Sequence, residues 1–181
     1  MIKERIQKAI NEQIQKEFQS AYIYLAMSAY FEEKNLDGFA HWMKVQWEEE
    51  IQHGMYFYNH ILRRGGHVEL LDLEAPKVSI DSPKAAFEQA LEHEQYITSQ
   101  INELYDLAKE ERDNPLQTLL HWFIDEQVEE EEATDNIREQ LEMIGDDQTG
   151  LLMLDKEMAQ RQPGEEGGGE AAAGSAQNAP V

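Results

Sequence analysis

Glu50-Ile51-Gln52-His53 sets a carboxylate and an imidazole one helical turn apart on a helix stripe that is otherwise apolar. The stripe runs Phe39, Met43, Gln46, Glu50, His53, Phe57, Ile61, with ordinary core at both ends and polar groups in the middle. A charge facing a core must be paired or must hold a metal, and a Glu-x-x-His pair lets one helix offer two ligands to one ion. A single pair does not establish a site, because a histidine half-buried in a helix is more often a hydrogen-bonded core residue than a ligand. The deciding question is whether other helices carry carboxylates at matching places in their own stripes. Three do.

Upstream, an unbroken helical period predicts a first helix from about Lys3 to Lys34, with Ile6, Ile10, Ile14, Phe18, Ala21, Leu25 and Phe31 on one side. After the short turn Asn35-Leu36-Asp37-Gly38 the second helix runs from about Asp37 to Arg64, and Gly65-Gly66 can supply its left-handed cap. The first two helices are therefore antiparallel neighbours. From Gly66 to Ser82 the period is lost and Pro76 intervenes. Those 17 residues reach about 55 Å when extended, more than the roughly 42 Å of a 28-residue helix, so the segment can cross the whole length of a bundle. The second and third helices should then run parallel.

Ser82 as N-cap and Pro83 at the first position open a third helix bearing Phe87, Leu91, Glu94, Ile97, Ile101, Leu104 and Ala108. After a polar turn, Asn114 as N-cap, Pro115 and a capping-box-like Gln117 open a fourth, with Leu119, Phe123, Glu126, Gln127, Glu130, Ile137, Leu141 and Ile144, stopped by Gly145. Short, long and short connections describe an all-α, ferritin-like four-helix bundle with one long crossover between helices two and three. A short fifth helix is expected from about Gln148 to Gln160, and its apolar residues Leu151, Leu152, Leu154 and Met158 call for a partner in a neighbouring subunit. The chain thus divides into a bundle unit at 1–161 and an acidic Gly/Ala-rich tail at 162–181, expected to be disordered.

Each stripe has a polar interruption: Glu17 in the first, Glu50 and His53 in the second, Glu94 in the third, Gln127 and Glu130 in the fourth. All four glutamates fall roughly 20 Å from the start of their helices. Several carboxylates gathered in a partly dry site raise one another's pKa values, and cations remove the difficulty. Carboxylate oxygens with one imidazole and no sulfur suit iron or manganese better than copper(I) or structural zinc. Four glutamates and one histidine suit two ions sharing a bridging carboxylate.

The bulk composition agrees. There is no cysteine, hence neither a disulfide framework nor a thiolate site. Fifteen Lys and Arg against 37 Asp and Glu give a formal charge of -22, which repels nucleic acid and anionic membrane surfaces and attracts cations. The opening Met1-Ile2-Lys3-Glu4-Arg5-Ile6 has no apolar leader and no run approaches a membrane span, so the expectation is a soluble cytoplasmic protein.

Over Ile2 to about Arg161 the sequence resembles a bacterial non-haem ferritin. The resemblance is carried by Glu17, by Glu-Glu-x-x-His at Glu49 to His53, by Glu94 after His93, and by Glu126-Gln127-x-Glu129-Glu130. It implies an iron storage protein with ferroxidase activity: one iron held by Glu17, Glu50 and His53, a second by Glu50, Glu94 and Glu130, and Gln127 hydrogen-bonding beside them. It also implies a further iron position on the cavity side at Glu49, Glu126, Glu129 and Glu130. Tyr24, seven residues after Glu17, matches the family's tyrosine beside the iron pair, as an electron donor or as a core hydroxyl bound to a ligand carboxylate. Trp122 has the same ambiguity, with packing preferred.

The resemblance further implies a hollow homo-oligomeric cage of 24 subunits that takes iron ions and dioxygen or peroxide, its fifth helices around the four-fold axes. Haem is not expected, since Gln52 stands about where a haem-ligating methionine would be needed, although Met55 is near. His41, His60, His67, His93 and His121 read as surface or packing residues, and Asp113, Asn114 and Gln117 as an iron-access route. The rival reading is a small rubrerythrin-like di-iron oxidase or peroxidase without storage. Against it stand the absent cysteine-rich module and the lack of a second Glu-x-x-His.

Overall fold

Where the apolar period is unbroken the chain is helical: α1 (Glu4–Glu33), α2 (Asp37–Arg63), α3 (Pro83–Glu110), α4 (Asn114–Ile144) and the short α5 (Gln148–Met158). The computed structural model describes residues 2–164, and no strand occurs among them. The expectation for the tail falls outside the described residues from 165 onward. Antiparallel α1 and α2 pack together, as do α3 and α4. Arg64, just past the end of α2, forks onto Asp113 beyond the end of α3 with two 2.7 Å bonds, so α2 and α3 finish at the same end of the bundle and run parallel.

The crossover at 66–82 is extended and is zipped to α1 by an amide ladder. Gln7, Asn11, Gln15 and Gln19, one per turn, exchange hydrogen bonds with the backbone of His67, Glu69, Asp72 and Glu74. A strap without a partner strand thereby satisfies backbone groups that would otherwise depend on water.

The caps follow local chemistry with one correction. Ser82 Oγ accepts from Ala85 N at 3.2 Å as expected. The N-cap of α4, however, is Asp113 and not Asn114, because the Asp113 carboxylate accepts from Leu116 N at 3.1 Å while also binding Arg64. Gln117 is not part of a capping box either; its amide donates to Ala108 O. Held by Arg64 and buried, Asp113 is a structural carboxylate and not an open cation acceptor.

Two further expectations shift. Phe18 is only partly buried and Leu25 is 38% exposed; the inward face of α1 instead carries Gln13, Ile14, Glu17, Ser20, Ala21 and Tyr24. Similarly, Ala90 and not Leu91 is buried on α3. The reason is common to both: several apolar residues on a long helix share adjacent faces, and packing selects one. The fifth helix does not depend wholly on a neighbour, since Leu154 and Met158 join the core of their own chain while Leu152 and Met153 stay exposed.

The α5 segment also finishes α2. Leu36 supplies no side-chain cap, but Asp155 Oδ1 accepts from Gly38 N at 2.9 Å and Phe39 N at 3.0 Å. The approach leaves no room for a side chain, as a Cβ on Gly38 would lie 1.6 Å from Asp155 O. Gly38→Ala is therefore expected to push α5 off and to destabilise the chain by about 1–3 kcal/mol. A lower denaturation midpoint checks this, and an unchanged midpoint refutes the tight contact.

The core is split. One apolar cluster contains Met27, Phe31, Phe39, Trp42, Met43, Phe87, Leu141 and Leu154; the other contains Ile6, Ile10, Ile14, Phe57, Ile61, Ile101, Leu116 and Phe123. Between them lies a buried polar layer formed by Glu17, Gln46, Glu50, His53, Glu94, Gln127 and Glu130.

Candidate metal centre

Glu17, Glu50, His53, Glu94 and Glu130 are each at most 3% exposed and come from all four long helices. Equal depth along each helix makes them a layer, and the flanking apolar clusters exclude water from both sides. Without cations the layer is strained electrostatically. Burial raises the pKa of Glu17, of Glu94 and, strongly, of Glu50, and it pushes Glu130 up to about 8, helped by Glu94 and Glu49. Burial disfavours the charged form of His53, but the facing Glu126 and Glu50 carboxylates outweigh it and raise the imidazole well above its ordinary value.

Two ligand groups emerge. Ligand atoms of Glu17, Glu50 and His53 lie within 4.8 Å of one another, as do those of His53, Glu126 and Glu130. His53 bridges them, with Nδ1 3.7 Å from Glu50 Oε2 and Nε2 3.7 Å from Glu126 Oε1. A histidine that ligates with one nitrogen commonly offers the other N–H to an orienting carboxylate; Glu126 stands on that side of the ring, 3.7 Å away and beyond hydrogen-bond length. Edge-on Trp122 and Phe123 rings, 5.5 and 5.6 Å away between centroids, fix the imidazole plane; this is the packing role for Trp122.

Open valence is visible directly. Glu17 Oε2 and Glu50 Oε2 are buried oxygens without a hydrogen-bond partner, the state expected of carboxylates shaped for a cation and costly otherwise. Gln13 Nε2 holds the other Glu17 oxygen at 2.7 Å, and Gln46 Nε2 holds Glu130 Oε2 at 2.7 Å.

Glu94 falls outside both groups. Its Oε1 accepts from the Tyr24 hydroxyl and its Oε2 from Gln127 Nε2 at 3.3 Å. Tyr24 is thus a core hydroxyl bound to a carboxylate of the layer, and burial together with Glu94, Glu130 and Glu50 keeps its phenol protonated far above its ordinary range. Gln127 stands beside the layer as expected and also reaches Glu94 O and Thr98 Oγ1.

Of the cavity-side set, Glu126 and Glu130 come together at His53, whereas Glu49 is turned elsewhere: its Oε2 accepts from Arg161 Nη2 at 2.7 Å and its Oε1 from Gly164 N at 2.8 Å. Glu129 joins neither group, and burial with Glu126 and Asp125 nearby raises its pKa. None of His41, His60, His67, His93 or His121 is fully buried or belongs to a ligand group. His60 is pushed down to about 4 by burial and Arg64, and His93 binds Ser20 Oγ at 2.7 Å. Gln52 and Met55 are both exposed.

Sequence reasoning missed Gln13, Arg161 and the approach of Glu126 to His53. It placed Gln46 on the stripe without giving it a role. Gln13 and Gln46 each sit one turn before a ligand, a readable signal. Arg161 had none beyond being the last basic residue of the chain.

The ferritin-like domain profile matches residues 7–144. A bacterial non-heme ferritin of Bacteroides fragilis strain 638R is 38% identical over 161 residues, covering 89% of this chain and all of the relative. One from Staphylococcus aureus strain USA300 is 36% identical, covering 89% and 97%. Among solved structures, an engineered closed form of the Archaeoglobus fulgidus ferritin superposes with a TM-score of 0.88 at 45% identity, covering 90% of this chain and 99% of the other. An open-pore ferritin from the same archaeon gives 0.87 at 45% identity, covering 89% and 98%. No helix among the described residues is long and apolar enough to cross a membrane.

Proposed function

Because the chain belongs to the ferritin-like domain family, we propose that it stores iron, oxidising Fe(II) at the buried carboxylate layer and passing Fe(III) to a mineral inside a cytoplasmic 24-subunit cage. The observation that carries this reading is the pair of unpartnered buried oxygens on Glu17 and Glu50, facing His53 in a layer sealed on both sides by apolar core. Iron is the substrate. Glu17, Glu50 and His53 would hold one ion and Glu50, Glu94 and Glu130 the second, with Glu50 shared.

Two Fe(II) supply two electrons, which with two protons reduce dioxygen to hydrogen peroxide, or hydrogen peroxide to water. The residues make this possible in distinct ways. Anionic oxygens favour the higher charge of Fe(III), and Gln13, Gln46 and Gln127 keep the carboxylates aligned. Tyr24, protonated and bonded to Glu94, holds that carboxylate in the layer. Glu126 faces His53 and, with Glu130, Glu129 and Glu49, would mark the side on which product leaves. Haem has no part in this reading.

The test is an anaerobic Fe(II) titration of the purified assembly followed by oxygen, with absorbance and particle mass followed together. Rapid oxidation of about two irons per chain, followed by mineral growth in a very large particle, is expected. Oxidation that stops at the pair on a small oligomer would replace storage with a rubrerythrin-like oxidase.

A further inference from the structure

Arg161 is a buried cation beside the site that the proposed function does not use. It lies three residues beyond α5, yet its side chain is only 3% exposed. Three contacts bind it to one face of α2: its carbonyl oxygen meets His41 Nε2 at 2.9 Å, its guanidinium stacks over the Trp42 ring at 4.4 Å, and its Nη2 donates to Glu49 at 2.7 Å. Gly164 N takes the other Glu49 oxygen. Both oxygens of Glu49 are therefore occupied by the chain itself.

A guanidinium stays charged at any accessible pH and is less strongly hydrated than an ammonium, which suits it to a buried ion pair. Here it is bound to Glu49, and Glu130 feels both Glu49 and Arg161. A cation arriving there finds its charge already present and one carboxylate already satisfied. To use Glu49 it must break two hydrogen bonds and meet a like charge.

We propose that Arg161 is a positioning residue that acts as the resident counter-cation of the cavity-side carboxylates, withholding Glu49 from divalent ions so that they do not lodge beside the pair. The inference rests on the di-metal reading above and deepens it. By weakening a third position, Arg161 makes the cavity side a passage and not a resting place. Glu49 and Arg161 are then exclusive partners: an ion bound to Glu49 requires the guanidinium to withdraw.

Zinc(II), which is redox-inert, tests this by calorimetry on the full-length assembled protein. The unsubstituted chain is expected to bind about two tightly held ions, and Arg161→Gln about three. Arg161→Lys, which keeps the charge, should return to about two, and Arg161→Gln with Glu49→Gln should lose the added ion. A purely structural arginine would not give this pattern, and an Arg161→Gln protein that assembles and still binds about two zinc ions overturns the inference. Should Arg161→Gln fail to assemble, zinc-soaked crystals of the unsubstituted protein decide by anomalous scattering. Zinc on Glu49 with Arg161 still within hydrogen-bond distance refutes exclusivity; zinc at the pair with Glu49 held by Arg161 supports it. If the unsubstituted chain binds no zinc at all, the di-metal reading itself fails.

Discussion

Replacing Glu17 and His53 together by alanine is expected to slow Fe(II) oxidation by more than about 100-fold, since loss of even an orienting partner around a metal ligand costs about 10–100-fold. Two of the three atoms that converge at the first position disappear, and Glu50 alone cannot fix an ion there. Assembly should survive. The two residues belong to the polar layer, whereas the apolar clusters on either side carry the packing, and removing Glu17 also removes a carboxylate that burial disfavours. Stopped-flow absorbance after mixing with Fe(II) and oxygen measures the rate, and light scattering verifies the particle. Unchanged oxidation in an intact particle would eliminate these residues as ligands.

Metal-free protein should lose stability as pH rises from about 4.5 through about 8, the reverse of ordinary acid denaturation. Glu130 stands at about 8 in the folded chain against 4.5 unfolded. A group whose folded pKa is raised stabilises the fold fully below the unfolded value, and that contribution is gone once pH passes the folded value. Glu17, Glu50 and Glu94 shift the same way through burial. His53, raised by its carboxylate neighbours against burial, also favours the fold below its unfolded value and loses that contribution as pH rises. Asp113 works oppositely: burial would raise it, but Arg64 and Leu116 N hold it down, so its contribution is present above the unfolded value of 3.8 and is lost toward acid.

The metal-free stability maximum is therefore expected at mildly acid pH, read as melting temperature against pH. Divalent ions should restore stability most at pH 8, where they displace the fewest protons. Glu130→Gln should raise the metal-free melting temperature at pH 8 while weakening ion binding. A metal-free profile rising steadily to pH 8 would contradict the buried, unpaired state of the layer.

The rival needs behind these results explain the architecture. A bundle core would be more stable with apolar residues throughout, yet this chain interrupts it with seven polar side chains at one level. Gln13, Gln46, Gln127 and Tyr24 satisfy part of the layer, and one oxygen each of Glu17, Glu50 and Gln46 remains open, two of them on carboxylates. Local instability of the metal-free layer and affinity for cations have the same origin.

Sequence by itself determined the four long helices, the parallel relation imposed by the long crossover, and the level at which Glu17, Glu50, His53, Glu94 and Glu130 meet. These follow from periodicity and chain length, which are local quantities that a sequence writes out one residue at a time. Only the tertiary structure decided which of several adjacent apolar faces turned inward, as Phe18 and Leu25 on α1 illustrate. It alone decided that Asp113 and not Asn114 caps α4, because Arg64 from another helix end fixes that carboxylate. It also brought Asp155 to the start of α2 and Arg161 to Glu49, across 117 and 112 residues of chain. Contacts of that kind depend on where α5 comes to rest, and helical periodicity carries no information about the docking of one finished helix on another.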